Sequence, residues 1–507
     1  MPHATVIGAG PVGQTTALLL ADWGLDVTLL DRLDARHAVG SKSICQQRDV
    51  LDTWTRLGAG AITAEGVTWT TARTFHRDRE IHSWSFAPTT GTPPFVNISQ
   101  ARTEAILDDL ITANPRITQR WGHEATAIRQ THDNVTVQLA DGTHLTTSYL
   151  VMCTGAHHSP LRDGLGITFE GTTHPDRFLI GDIAAQLPGR RHERHFHFDP
   201  AANPGRQILI HPCPGDTYRI DWQVPPSYQP GTDDLDTRIR AVIGDTPYTL
   251  LWNTVYRFHS RIASRFHTGR VLLAGDAAHL FAPFGARGLN SGIADAENAA
   301  WKIAAHAHGW AGDDILATYN TERHAAAREN QDVVEATMAF LAPRTPDQHA
   351  DRHTTLTRAA TDPVHAATID SGRFAEPYWY DHSALTTPAT HRHVSGRPPK
   401  GHNPPPAPGT ICPDAPLPGN TSLRRQLRGT FTLITHHDHP EFATLTGAPT
   451  RVVNLATIDP TGTLAEAIGI RDDETWLTRP DAHLAATLPG ATHRDIAAAL
   501  RRALAHP

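Results

Sequence analysis

Three groups of residues in this chain have types and spacings that suit chemistry. In VIGAGPVGQTT, Gly8, Gly10 and Gly13 form G-x-G-x-x-G, and Asp31-Arg32 follows, with Asp31 18 residues after Gly13. Gly8 serves the tight turn, Gly10 lets backbone approach a pyrophosphate, and Gly13 lets a helix pack closely. Asp31 can accept from ribose hydroxyls. This is a dinucleotide site, and NAD or FAD both suit it. The second group is GRVLLAGDAAHLFAPFGARGLNSG, Gly269 to Gly292, in which an apolar run ends at Asp276 and breaks into Pro283, Gly285 and Gly288. An acid at a strand's carboxyl end, across a glycine loop from a helix amino terminus, suits a ligand carrying hydroxyls and anionic oxygens. The third group is YRIDWQV, where strand alternation puts Arg219, Asp221 and Gln223 on one face and Tyr218, Ile220 and Trp222 on the other.

These residues need elements to hold them. The amino terminus reads as strand Thr5–Ile7, helix Gln14–Ala21 and strand Val27–Leu30. Val271–Ala274 reads as a buried strand, and Leu289, Ile293, Ala296, Ala300 and Ala304 give helical spacing from about Asn290. Leu385–Gly409 is proline-rich and polar and reads as a linker. Beyond it, GTFTLITHH, RVVNLAT, TWLTRPDAHLAA and a final helix suggest a small α/β domain.

Composition narrows the classes of function. The 507 residues are long enough for several domains, and a formal charge of -7 leaves no basic stripe for nucleic acid. No apolar run approaches the ~18 residues of a membrane span. The strand that begins at once after MPH leaves no room for a secretion signal, so the expected compartment is the cytoplasm. Cys45, Cys153, Cys213 and Cys412 lie far apart without a CxxC, which argues against a disulfide framework or zinc site. The 33 histidines are scattered; the dense runs His192–His197 and His391–His393 read as solvated loops or strand ends, and no metal is expected.

The GD followed by P-x-G-x-x-G-L-N and a helix resembles the second FAD signature of the para-hydroxybenzoate hydroxylase-like flavoprotein monooxygenases. The resemblance extends over most of the chain ahead of the proline-rich run. It implies that Asp276 binds the ribityl chain and that Pro283, Gly288, Leu289 and Asn290 run beside the flavin. It also implies that Lys42 takes the place of an arginine near the pyrophosphate, that Arg32 follows the ribose acid, and that Gln100 lies near the flavin. Arg219 matches a flavin-contacting arginine and His211 a substrate-contacting position, so Asp221 should face the same cavity. The tail resembles the thioredoxin-like domain of phenol and polyketide hydroxylase relatives. The implied fold is α/β: a Rossmann-like FAD domain interleaved with a β-sheet substrate domain over 1–384 (substrate sheet about 171–265), linker 385–409, and thioredoxin-like domain 410–507.

The implied activity is FAD- and NADPH- or NADH-dependent hydroxylation of a phenolic or polyketide-like ring by way of a flavin C4a-hydroperoxide, with oxygen as co-substrate. Baeyer–Villiger or epoxidising chemistry remains an alternative, and a homodimer is possible. One departure stands out. Family members carry C-D-G before an arginine, whereas this chain reads CTGAHHSPLR, with Thr154 for the acid ahead of Arg162. Thr154 cannot supply a carboxylate's charge-assisted bonds. The turn is then either shape alone or a sign of altered reduction by NAD(P)H, and the latter leaves open a flavoprotein that binds an aromatic ligand without turnover.

Overall fold

The computed structural model describes the whole chain except residues 1, 38–41, 86–90, 158, 232–233, 370–373, 375, 393–395, 397–404, 420 and 507. The amino-terminal motif folds into strand His3–Ile7, helix Pro11–Asp22 and strand Asp26–Leu30. Pro11 at the first helical position fixes the entry angle of that helix. The two strands pair in parallel at the centre of a six-stranded sheet, flanked by Tyr149–Met152 and Ile117–Arg120, with Val271–Leu273 beyond Tyr149–Met152. Three parallel strands thus aim their carboxyl ends, carrying Gly8, Thr154 and Asp276, at one crevice.

Gly8 and Gly13 are required by close approach. Gly8 has φ +103°, and a Cβ on it would lie 2.3 Å from the Cys153 carbonyl oxygen. A Cβ on Gly13 would lie 1.8 Å from the Gly8 oxygen. The second helix runs Arg287–Ala307, starting three residues before the expected Asn290. Ala286 adopts a left-handed conformation at φ +54°, which turns the chain early enough for Arg287 to begin the helix.

The substrate sheet has eight strands. Five of them are Phe169–Ala185, Glu193–Phe198, Gln207–Cys213, Thr217–Val224 and Tyr248–Ala263. The hairpin Thr71–His76/Arg79–Ser85 and the short strand His279–Leu280 complete it. Glu193–Phe198 pairs in parallel with Thr71–His76. This corrects the reading of His192–His197 as solvated loops or strand ends: the run forms the body of a packed strand, with His195 buried against Glu193 and His197 stacked on Phe75 at 4.4 Å between centroids.

The carboxyl-terminal unit has a four-stranded sheet. Phe431–Thr435 is parallel to Thr450–Asn454 and antiparallel to Glu474–Thr478, which in turn pairs with Leu484–Pro489. A final helix, His493–Ala503, starts at a Thr492/Asp495 capping box. This is the thioredoxin-like order, here without a dithiol: Cys412 is buried and unpaired. Phe431, Leu477 and Leu500 share one core with Trp301 and Leu19 of the cofactor half. The run that reads as a linker begins packed, with Leu385 buried and Thr387 donating its N–H to Ala485 at 2.8 Å. Its residues 393–395 and 397–404 lie outside those described.

Candidate active site

A cavity of about 480 Å³ lies between the two sheets. One end is mostly backbone. Gly8, Gly10, Asp31, Arg32, Lys42, Gln100, Asp276, Pro283, Gly288 and Leu289 all line it. Gly10 and Gly288 face open space, with nothing within 4 Å of where a Cβ would sit. Asp31 accepts the Ala9 N–H at 2.7 Å, which fixes the glycine turn, and Gln100 accepts the Ser43 N–H at 3.1 Å. The two motifs touch: a Cβ on Gly292 would lie 2.6 Å from Val12. An extended ligand with a diphosphate and a polyhydroxyl chain fits this cradle of bare backbone, helix amino termini and exposed Asp276.

Two expected residues are not on the wall. Gly13 packs behind it, and Asn290 turns back to accept the Gln47 N–H at 2.9 Å and to donate to the Cys45 carbonyl at 3.0 Å. Asn290 therefore ties the helix start to the strand Cys45–Gln47 instead of facing the cavity.

The other end is a recess walled by aromatic side chains: Trp69, Trp84 and Phe374 on one side, Phe178, Phe258 and Phe284 on the other. His211, Arg219 and Asp221 reach it from adjacent strands, with His211 opposite Arg219 and Leu209 opposite Asp221. The opposite face of the strand, Tyr218, Ile220 and Trp222, is buried in a separate apolar cluster. Gln223 turns away to Asp176.

Arg219 forms a two-pronged pair with Asp182, at 2.8 Å for both bonds, and its Nη1 donates to the Lys42 carbonyl at 3.4 Å. It thereby links the substrate sheet to the loop before Cys45. Asp221 Oδ1 and His211 Nδ1 are buried and have no partner. Burial pushes the Asp221 carboxyl up to about 7, against the pull of Arg219. Burial, helped by Arg194 and Arg219, holds His211 well below its ordinary value. The ordinary order of a carboxylic acid and an imidazole is thus inverted: the carboxylate is poised near neutrality, and the imidazole stays neutral.

Arg194 and Arg287 are wall residues that a reading of the sequence misses. Arg194 lies within the histidine-rich run, and its guanidinium lies 5.9 Å from the Trp69 ring centroid. Arg287 sits within the second motif, bonded to Asn330 and to the Phe374 carbonyl. Thr154 Oγ1 is buried and unpartnered in the cavity wall. Arg162 donates to the Ala277 carbonyl at 3.2 Å and stacks on Phe169, and among the described residues no carboxylate pairs with it.

Comparison with known proteins follows the same division. Residues 2–334 match a family of FAD binding domains, and residues 405–507 match the aromatic-ring hydroxylase C-terminal family. A 3-(3-hydroxy-phenyl)propionate/3-hydroxycinnamic acid hydroxylase of Mycobacterium sp. (strain JLS) is 30% identical over 396 residues, covering 76% of this chain and 68% of that protein. A rifampicin monooxygenase of Streptomyces venezuelae is 30% identical over 66% of this chain and 71% of its own. Among solved structures, the flavin-dependent monooxygenase PieE with FAD and substrate superposes with TM-score 0.84 at 23% identity, covering both chains fully. Aklavinone-11 hydroxylase with FAD and aklavinone gives TM-score 0.77 at 21% identity over 99% of each chain. With a backbone cradle for a dinucleotide, an aromatic recess beside it and matches along both parts of the sequence, the chain belongs to the FAD-dependent aromatic-ring hydroxylases.

Proposed function

We propose that the chain hydroxylates a bulky phenolic, polyketide-like aromatic molecule, with NADPH or NADH as reductant, and that Asp221 accepts the phenolic proton. The observation that carries this is Asp221 itself: an unpartnered carboxylate oxygen in an aromatic-walled recess, with its pKa raised to about 7. A general base works best when its pKa lies near the working pH. Removing the phenolic proton raises the electron density of the ring, which is what an electrophilic oxygen needs. The nearby guanidiniums of Arg194 and Arg219 would favour the resulting phenolate. His211, held neutral, orients the same hydroxyl or a neighbouring oxygen. Trp69, Trp84 and the phenylalanine cluster hold the ring face and keep water away.

At the other end, Asp276 would hold the ribityl hydroxyls, Asp31 the ribose, and the turn at Gly10 the diphosphate. FAD bound there supplies the redox and oxygen chemistry. The extent of the aromatic wall favours a fused-ring substrate, as do the relatives that carry the names of rifampicin and aklavinone. Among the described residues no helix is long and apolar enough to cross a membrane. The free state of all four cysteines supports a cytoplasmic enzyme.

Anaerobic mixing of the FAD-loaded protein with NADPH, with and without a panel of fused-ring phenols, tests the reading. The true substrate should speed flavin bleaching, and aerobic turnover should add one oxygen to an intact ring. A ring-expanded or ring-opened product would replace hydroxylation by Baeyer–Villiger insertion.

A further inference from the structure

Behind the Gly275–Asp276 turn lies a buried polar chain that reaches the carboxyl-terminal unit. Asp295, on the helix Arg287–Ala307, is fully buried. Its Oδ2 accepts the Gly275 N–H at 3.0 Å and His279 Nε2 at 2.7 Å. Its Oδ1 accepts Arg323 Nε at 2.7 Å. Arg323 Nη1 in turn donates to the Tyr380 hydroxyl at 2.9 Å. Tyr380 packs on His483 with ring centroids 4.4 Å apart, and its own N–H donates to the Gly409 carbonyl at 2.8 Å. His483 lies in the carboxyl-terminal unit, between its strands Glu474–Thr478 and Leu484–Pro489. None of Asp295, Arg323, Tyr380 and His483 lines the cofactor cavity.

Gly275 has φ +62°, and its N–H is held by the Asp295 side chain. The next residue, Asp276, lines the cavity. A carboxylate that gathers three donors is rigid, because each bond is charge-assisted or buried and each fixes a different element. Here those elements are the GD turn, the short strand at His279 and the helix Ile315–Leu341 that carries Arg323.

We propose that Asp295 is a positioning residue for FAD, holding the turn that presents Asp276, and that Arg323 and Tyr380 tie this turn to the carboxyl-terminal unit. The carboxyl-terminal unit then sets cofactor affinity from a distance, without a residue in the cofactor's reach. The inference rests on the reading of Asp276 as a ribityl contact.

The experiment is FAD titration of apoprotein at a temperature well below unfolding, with thermal stability recorded separately for each variant. Asp295→Asn replaces an acceptor by an amide that cannot accept from all three donors, and FAD affinity should fall about tenfold or more. Tyr380→Phe deletes one hydroxyl three hydrogen bonds away from the turn, and affinity should fall about two- to fivefold, with a shifted visible spectrum of the bound flavin. Tyr149→Phe is the control. It deletes a hydroxyl bonded to His306 at 2.7 Å, at the far end of the helix that carries Asp295, and it should lower thermal stability while leaving affinity and spectrum as in the parent. Asp276→Ala tests the underlying reading by losing affinity on its own. The proposal is overturned if Asp295→Asn and Tyr380→Phe bind FAD like the parent while Asp276→Ala does not. It is also overturned if Tyr149→Phe weakens FAD as much as Tyr380→Phe. If Asp276→Ala keeps full affinity, the ribityl reading fails, and the positioning role falls with it.

Discussion

The two ends of the cavity are made of different material. At the cofactor end much of the wall is main chain and short side chains from two stretches that each run strand, turn, helix, with Asp31, Arg32, Lys42 and Gln100 added from outside them. At the substrate end it is large aromatic and charged side chains drawn from many separate segments. Backbone can approach a phosphate or a ribityl chain only where no side chain intervenes, so the cofactor end tolerates little change. The recess is shaped by side chains that each contribute a surface, so it can change its ligand by substitution while the cofactor end stays as it is.

The largest effect expected from testing this contrast is chemical. Asp221→Asn should leave FAD binding intact and lower product formation by about 10² to 10⁴-fold, the range of a lost general base. The parent's kcat/KM should rise with pH through about 7, because Asp221 must lose its proton to act as a base. That limb should be missing in the variant. NADPH consumed without product, with release of hydrogen peroxide, should increase. Full coupling at parental rates would make this face of the strand structural.

At the cofactor end Gly8→Ala should cost about 3 kcal/mol of folded stability, because the position combines a positive φ with a Cβ 2.3 Å from a carbonyl oxygen. Recovery of little or no yellow protein is the expected readout. A fully loaded, parent-like variant would show that the turn can shift and that the main-chain end is less rigid than its geometry implies. Asp276→Ala should weaken FAD by about 1–3 kcal/mol, the scale of a lost bond to a charged group, measured by titration.

The smallest effect is at the border between the two ends. Thr154→Asp would put a carboxylate where Thr154 Oγ1 is now buried without a partner, on the same turn region as Arg162. Flavin reduction by NADPH should become several times faster; an unchanged rate with FAD retained would make this turn shape alone.

The same contrast explains what could be read from the sequence. Gly8, Gly10 and Gly13 announce themselves because a turn, a close approach and a helix contact each demand glycine at a fixed offset. Asp221 was legible through alternation along a single strand. Arg194, Trp69 and Trp84 were not. They meet because Glu193–Phe198 pairs in parallel with Thr71–His76, a pairing between distant segments with no local signature. Asn290 shows the opposite failure, a residue in the right motif whose amide is used by neighbouring backbone. The inverted order of His211 and Asp221 follows from burial and from charges on other strands, which no spacing along one strand can supply.

The placing of Thr71–His76 between Glu193–Phe198 and Arg79–Ser85 has a consequence for how the molecule comes into being. On the ribosome the hairpin Thr71–Ser85 emerges early, with one flank of Thr71–His76 open until Glu193–Phe198 is made. An exposed strand flank is a template for wrong partners, and pairing across a long stretch of chain is slow. The hairpin carries Arg73 and Glu80 paired to one another, and Arg73 later takes Glu193 as well. Charge on a waiting edge discourages association between nascent chains. For the same reason the substrate sheet cannot be moved to another scaffold as one uninterrupted insert: a graft that spans only Phe169–Ala263 would leave Glu193–Phe198 as a bare edge in search of a neighbour.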